Sequence, residues 1–209
     1  MNYDLAIFDF DGTLADSFPF FVSVFNTIAE RHQFRTIDTT RADSLRHLSA
    51  RQMMQHVGMP AWKLPVVSRT FITMMKESAA SVPVFDGIDA ALRAIAAHGI
   101  QLAIVSSNSE QNVRNVLGDE LSALIGRFEC GMSMFGKASR LKQLVRDSGT
   151  SAASAIYIGD QDTDAIAATK SGLAFGAVRW GYAPIEILRA HQPAVEFESP
   201  ADMARYFTG

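Results

Sequence analysis

Cys130 is the single cysteine of the 209-residue chain, so no internal disulfide can form. A lone thiol fits a reducing compartment, and a free cysteine is more often a small core residue than a nucleophile. No uninterrupted apolar run is long enough to span a bilayer. The N-terminus, MNYDLAIFDFDG, lacks a basic segment followed by an apolar stretch and does not read as a signal peptide. Long runs of one charge sign are missing and the formal net charge is -3, which argues against a nucleic-acid or anionic-membrane surface. Repeats and low-complexity stretches are missing too. These absences predict a soluble, cytoplasmic protein with neither nucleic acid nor membrane as partner. They leave monomer and homodimer open.

What is present is core-forming material: 48% of the residues are hydrophobic and 20% charged. The length suits one α/β domain, or one domain plus a small insert. Leu5-Ala6-Ile7-Phe8 reads as a short buried strand. From Phe20 to about Ala80 the chain reads as helical, with Phe21, Val24, Phe25 and Ile28 at helical spacing, a break at Gly58-Met59-Pro60 and an end at Ser81-Val82-Pro83. Strand and helix then alternate. Ile88, Ala91, Leu92 and Ile95 form a helical stripe ended by Gly99, and Ile100 to Val105 is a strand. Ser107 and Glu110 have capping-box spacing. Leu141, Leu144 and Val145 mark a helix, Ala155 to Ile158 a strand, and Ile166 to Ala168 a helix stopped by Gly172. Leu173 to Val178 and Ala194 to Phe197 are weaker strand signals. This alternation predicts an α/β fold, a Rossmann-like doubly wound parallel sheet with an inserted all-helical cap. The expected boundaries are a core of residues 1–15 and 82–209 around a cap of residues 16–81.

In such sheets ligands collect at the carboxyl ends of the strands, where the informative residues fall. Asp9 and Asp11 follow the first strand. Two nearby carboxylates repel unless a cation lies between them, and a hard divalent ion with oxygen ligands resolves this. Ser106, Ser107 and Asn108 follow the second strand, where hydroxyls and helix-start N–H groups suit a phosphate oxygen. Taken alone they are ordinary caps. Lys137 opens a helix, mildly against the macrodipole, so a nearby anion would compensate it. Taken alone it reads as a solvated lysine. Gly159-Asp160-Gln161-Asp162-Thr163-Asp164 follows the next strand, and a helix starting there would put Asp160 and Asp164 on one face. Together these groups supply a carboxylate nucleophile, a second carboxylate, a hydroxyl, an ammonium and metal ligands: the parts for phosphoryl transfer.

The set resembles the haloacid dehalogenase superfamily, and within it the phosphoglycolate-phosphatase-like branch. DFDGTLADS is similar to that family's first motif, IVSSN to the second, Lys137 to the third and GDQDTD to the fourth, while VRWGY at residues 178–182 is similar to a stretch common in the branch. The resemblance covers nearly the whole chain. It implies a magnesium-dependent phosphatase acting on a small, phosphoglycolate-like phosphomonoester. Asp9 would become phosphorylated, and Asp11 would act as acid and then base. Mg2+ would be held by the Asp9 carboxylate, the Asp11 backbone carbonyl and Asp160, with Asp164 ordering its surroundings. Ser106 and Lys137 would bind the phosphoryl oxygens, Lys137 also steadying Asp9. Thr13 would support Asp11, and Ser107 and Asn108 would line the phosphate site. The chain departs from the pattern after Lys137, where Ala138-Ser139-Arg140 replaces expected prolines, and at Asn108, where many relatives carry lysine or arginine.

The cap is expected to choose the substrate, with Arg46, His47 and Arg51 as the first cluster to watch, and Met53, Met54, Met59, Met74 and Met75 as packing rather than pocket. Other functions stay open: a sugar phosphomutase, a pyrophosphatase or 5'-nucleotidase, a phosphonate hydrolase using a cap lysine, or a non-enzymatic protein on the same fold.

Overall fold

Strand β1, Leu5–Phe8, is buried on both sides, which is why its sequence is an unbroken apolar run rather than an alternating one. Ala6 and Phe8 point into one apolar cluster, and Leu5 and Ile7 into the other. The computed structural model describes residues 3–48, 50–78, 82–131 and 136–209. The other strands are β2 (Gln101–Val105), β3 (Ile125–Glu129), β4 (Ala155–Gly159), β5 (Ala174–Val178) and β6 (Val195–Phe197). All pair in parallel, in the order β3-β2-β1-β4-β5-β6. Successive strands run outward from β1 in one direction and then, from β4, in the other. The chain thus leaves a crevice between the ends of β1 and β4, where such sheets bind ligands.

Helices α4 (Ile88–Ala97), α5 (Glu110–Leu124) and α9 (Pro200–Thr208) cover the first face through Ile88, Leu92, Val113, Leu117 and Met203. Helices α6 (Lys137–Ser148), α7 (Asp162–Ser171) and α8 (Ile185–Arg189) cover the second through Leu141, Leu144, Ala165, Ala168 and Leu188. Between β1 and β2 the chain builds the helical cap. It comprises α1 (Phe18–His32), a 3-10 helix (Thr39–Leu45), α2 (Ala50–Val57), a short 3-10 turn (Ala61–Lys63) and α3 (Leu64–Ser78). Phe25, Ala29, Ile37, Val57 and Met59 form its own small core. The two connections to the sheet run side by side. Asp16 N donates to Pro83 O (2.9 Å), Phe85 N to Leu14 O (3.0 Å), and Ala15 bridges Val84 antiparallel. Ala80 and Ser81, at the expected end of the insertion, lie outside the described residues.

Three local expectations need correction. The capping residue of α5 is Ser109, whose side chain accepts from Asn112 N, rather than Ser107. Strand β3 was not expected; its Arg127 and Glu129 pair with each other along an edge strand, so its sequence lacks the apolar run of the inner strands. Asp160 precedes α7 instead of lying on its face, because β4 continues to Gly159 and the helix starts at Asp162. Cys130 is half-buried against the first cluster, and burial pushes its thiol up to about 12, which leaves it protonated and unreactive at neutral pH.

Candidate active site

Asp9 follows β1 directly, its N–H donating to Ile158 O of β4 (2.8 Å), so the sheet itself aims this carboxylate at the crevice. The chain then turns tightly. Leu14 N and Ala15 N both donate to Phe10 O, at 2.9 and 3.0 Å. Gly12 takes φ 85° in this turn, and a Cβ there would collide with the Asp160 carboxylate. Gly181 packs on the other side of Asp160, again too close for any side chain.

Asp160 is fully buried and tied down at both oxygens. Thr13 Oγ1 donates to Oδ1 (3.0 Å) and Tyr182 N to Oδ2 (2.9 Å). Thr13 is itself fully buried, and its hydroxyl donates to Asp160 rather than to Asp11. Trp180 Nε1 fixes the same turn by donating to Thr13 O (2.9 Å). The stretch at residues 178–182 therefore closes the back of the site. Asp164 accepts from Gln161 N at Oδ2 (3.1 Å) and from the Tyr157 hydroxyl at Oδ1 (3.0 Å). Lys137, the first residue of α6, reaches Asp164 Oδ1 at 2.6 Å and Asp9 Oδ1 at 3.0 Å.

Oxygens of Asp9, Asp160 and Asp164 lie within 4.8 Å of one another, and all three residues are buried. One ammonium facing three carboxylates leaves a deficit of positive charge. Burial, then Asp164, raise Asp9 to about 7 against the pull of Lys137. Burial, followed by the charges of Asp164 and Asp9, holds Asp160 well above the usual carboxylate range. Burial pulls the Lys137 ammonium down, but Asp164 and Asp9 together outweigh it and leave it above an ordinary lysine. A divalent cation with oxygen ligands relieves this strain, so the donor set fits one.

Asp11 stands apart from that cluster. Its Oδ2 accepts from Asn108 Nδ2 (3.1 Å), and burial raises its carboxyl, opposed by hydrogen bonding from Ser17 and Asn108. Asn108 is buried and forms a junction. Its Nδ2 also lies 3.0 Å from Met75 Sδ, and its Oδ1 accepts from Asn112 Nδ2 (3.0 Å), which in turn donates to Ile72 O of α3 (2.9 Å). Ser106 is buried at the end of β2, its Oγ accepting from Asn108 N (3.1 Å). Ser107 borders the cavity described next.

A cavity of about 300 Å³ opens on Asp9, Asp11, Ser107 and Lys137 and runs into the cap. Met53, Met54 and Met59 line it, which corrects their reading as packing alone; Met75 is fully buried against Asn108. Arg46 also borders it, ion-paired to Asp16 (2.9 Å) and stacked near the Phe18 and Tyr182 rings. His47 and Arg51 instead line a separate depression, with His47 Nδ1 2.7 Å from Tyr182 O. Sequence reasoning gave no individual role to Ser17, Tyr157 and Tyr182: Ser17 and Tyr182 meet each other across 165 positions, and Tyr157 reads as an ordinary core residue of β4 although its hydroxyl reaches Asp164; the stretch at residues 178–182 was the signal for Tyr182.

Residues 6–178 match the model of the haloacid dehalogenase-like hydrolase family. The chain belongs to that family. A phosphoglycolate phosphatase of Synechococcus elongatus is 31% identical over 203 residues, covering 97% of this chain and 96% of the relative. A 5'-nucleotidase of Pseudomonas aeruginosa is 29% identical over 114 residues, 53% of this chain and 52% of that protein. Among solved structures, a haloacid dehalogenase-like family hydrolase from Streptococcus pneumoniae superposes with a TM-score of 0.82 at 18% identity, over 98% of each chain. That likeness shows the shared fold. As a haloacid dehalogenase-like hydrolase the chain is an enzyme. No helix among the described residues is long and apolar enough to cross a membrane.

Proposed function

We propose that this enzyme is a magnesium-dependent phosphatase that hydrolyses a small phosphomonoester through a phosphoaspartate on Asp9. One observation carries the reading: Asp9 faces the cavity, paired to Lys137, with Asp160 and Asp164 beside it. Asp9 and Asp160 would hold the ion through their carboxylates, and Asp164 holds Lys137 in place. When bound, Mg2+ would offset repulsion between an anionic nucleophile and an anionic phosphoryl group.

In the first step an Asp9 oxygen attacks phosphorus and the bond to the leaving oxygen breaks. Asp11, protonated at this stage, gives its proton to that oxygen, so an alcohol departs. In the second step Asp11 takes a proton from water, whose oxygen attacks phosphorus and releases phosphate and the Asp9 carboxylate. The Lys137 ammonium steadies Asp9 and the transferring oxygens, and Ser106 and Ser107 offer hydroxyls at the end of β2. Asn108 orients Asp11. The phosphoglycolate phosphatase at 31% identity supports a small phosphomonoester. The lone thiol suits a cytoplasmic setting.

The test is turnover of p-nitrophenyl phosphate and a panel of metabolite phosphates, with and without Mg2+, beside Asp9→Asn. We expect Mg2+-dependent phosphate release that falls at least about a thousandfold in the variant. Undiminished turnover by Asp9→Asn would mean the nucleophile is misassigned. Silence across the panel, with phosphoryl exchange between a sugar phosphate and its bisphosphate, would make it a mutase instead.

A further inference from the structure

The cavity beyond the phosphoryl site is apolar. Its outer wall is carried by Phe21, Phe34, Leu45, Met53, Met54 and Phe71, contributed by α1, the 3-10 helix, α2 and α3 and the loop after α1. None of these six is fully buried, although each belongs to or packs on an apolar cluster or lines the cavity. They turn apolar surface toward the cavity instead of closing the cap core. Such surface favours an apolar occupant over water.

Charge points the same way. The cations lining the cavity are Lys137, engaged by Asp9 and Asp164, and Arg46, one of whose terminal nitrogens pairs with Asp16 at 2.9 Å near the Phe18 and Tyr182 rings while its Nε has no hydrogen-bond partner among the described residues. A carboxylate on the leaving group would meet no cation among these residues that does not already face a carboxylate, and would lose its water as well. A volume of about 300 Å³ has room for more than the phosphoryl group and a two-carbon acid; an engineered cavity of about 150 Å³ holds a benzene ring.

Resting on the phosphatase reading, we propose that the substrate is the phosphate ester of an uncharged, apolar alcohol, its alkyl or aryl group seated in the cap cavity. Hydroxy acids such as glycolate, and polyhydroxylated sugars, are then poor leaving groups for this chain because the six side chains of the outer wall offer them no hydrogen-bond partners. The class of reaction that consumes the product is one that oxidises or conjugates an apolar alcohol.

Binding and turnover test this separately. Inhibitor affinities of the Mg2+-loaded wild-type enzyme are measured for hexylphosphonate, 2-phenylethylphosphonate and phosphonoacetate, by calorimetry. We expect at least tenfold tighter binding of the first two, their ratio telling alkyl from aryl. Met54→Gln shrinks that preference at least fivefold, whereas Met54→Leu, which keeps the wall apolar, retains it. Circular dichroism confirms that both variants fold. Equal or tighter binding of phosphonoacetate, or a preference unmoved by Met54→Gln, overturns the proposal. Acetyl phosphate, a small donor that need not fill the cavity, tests the chemistry alone. Turnover of it that is lost in Asp9→Asn keeps the phosphatase reading whatever the phosphonates show, and its absence removes that reading while leaving the binding result to stand or fall by itself.

Discussion

Thr13 and Tyr182 supply the two donors that hold Asp160, one to each oxygen. Removing the Thr13 hydroxyl while keeping its shape leaves Oδ1 without its donor in a buried site. Thr13→Val is therefore expected to weaken Mg2+ binding by about 10- to 100-fold, the usual effect of losing a ligand's supporting hydrogen bond; calorimetric titration measures it, and unchanged affinity would show that Asp160 needs no such support. Asn108 acts on Asp11 in a different sense. Its hydrogen bond favours the charged carboxylate and so lowers a pKa that burial has raised. Asn108→Ala is expected to raise that pKa further, moving the alkaline limb of the kcat profile to higher pH, since Asp11 starts the reaction protonated. A limb that stays put or moves to lower pH would remove Asn108 from this role. The carboxylates were legible in the sequence because Asp9 and Asp160 follow apolar runs and Asp11 and Asp164 stand within four positions of them. Thr13 was visible, but its partner was not. Asp160 stands 147 positions away, and no local spacing reports a contact at that range.

At the scale of elements, the inner strands announced themselves because burial on both faces demands continuous apolar sequence. The edge strand β3 did not, since Gly126-Arg127-Phe128-Glu129 carries charges that satisfy each other beside solvent. The fourth motif brings its acids together by a geometry other than the one its spacing predicts. Asp160 and Asp164 converge because β4 ends and the chain turns, not because they share a helix face. Helix α3 is tied to α5 by Asn112, whose amide bridges Asn108 and Ile72 O. Its Oδ1 makes no hydrogen bond among the described atoms, so that bridge already carries a desolvation cost. Asn112→Ala is expected to cost roughly 1–2 kcal/mol in urea unfolding. Hydrogen exchange should rise in α3 while β1 and β4 stay protected, and uniform exposure of both would show that the cap and sheet open together.

The whole molecule stores its carboxylate repulsion in the crevice between the ends of β1 and β4. Without metal, Asp9 keeps its proton to about pH 7 in the fold, against an ordinary value of 3.8. The native state then binds more protons than the unfolded chain between those values, so stability falls as pH rises through that window. Burial raises Asp160 and Asp11 in the same sense. Metal-free protein is expected to melt at a lower temperature at pH 7.5 than at pH 5.5, and Mg2+ at 100 times its dissociation constant should restore about 2.7 kcal/mol. Scanning calorimetry in chelator and in Mg2+ decides it; a melting temperature that climbs with pH in chelator would show that the cluster is not a source of instability. The doubly wound order of the sheet was legible as alternation, whereas the cavity was not, because whether a methionine packs or lines a wall depends on the gap across from it. The side-by-side exit and return of the cap, Leu14 to Asp16 against Pro83 to Phe85, has a consequence for ancestry. An insert whose two ends meet can be swapped, trimmed or replaced by a short loop without stretching β1 or β2. Lineages could therefore trade one lid for another and acquire a new diet while handing down the same reacting carboxylates.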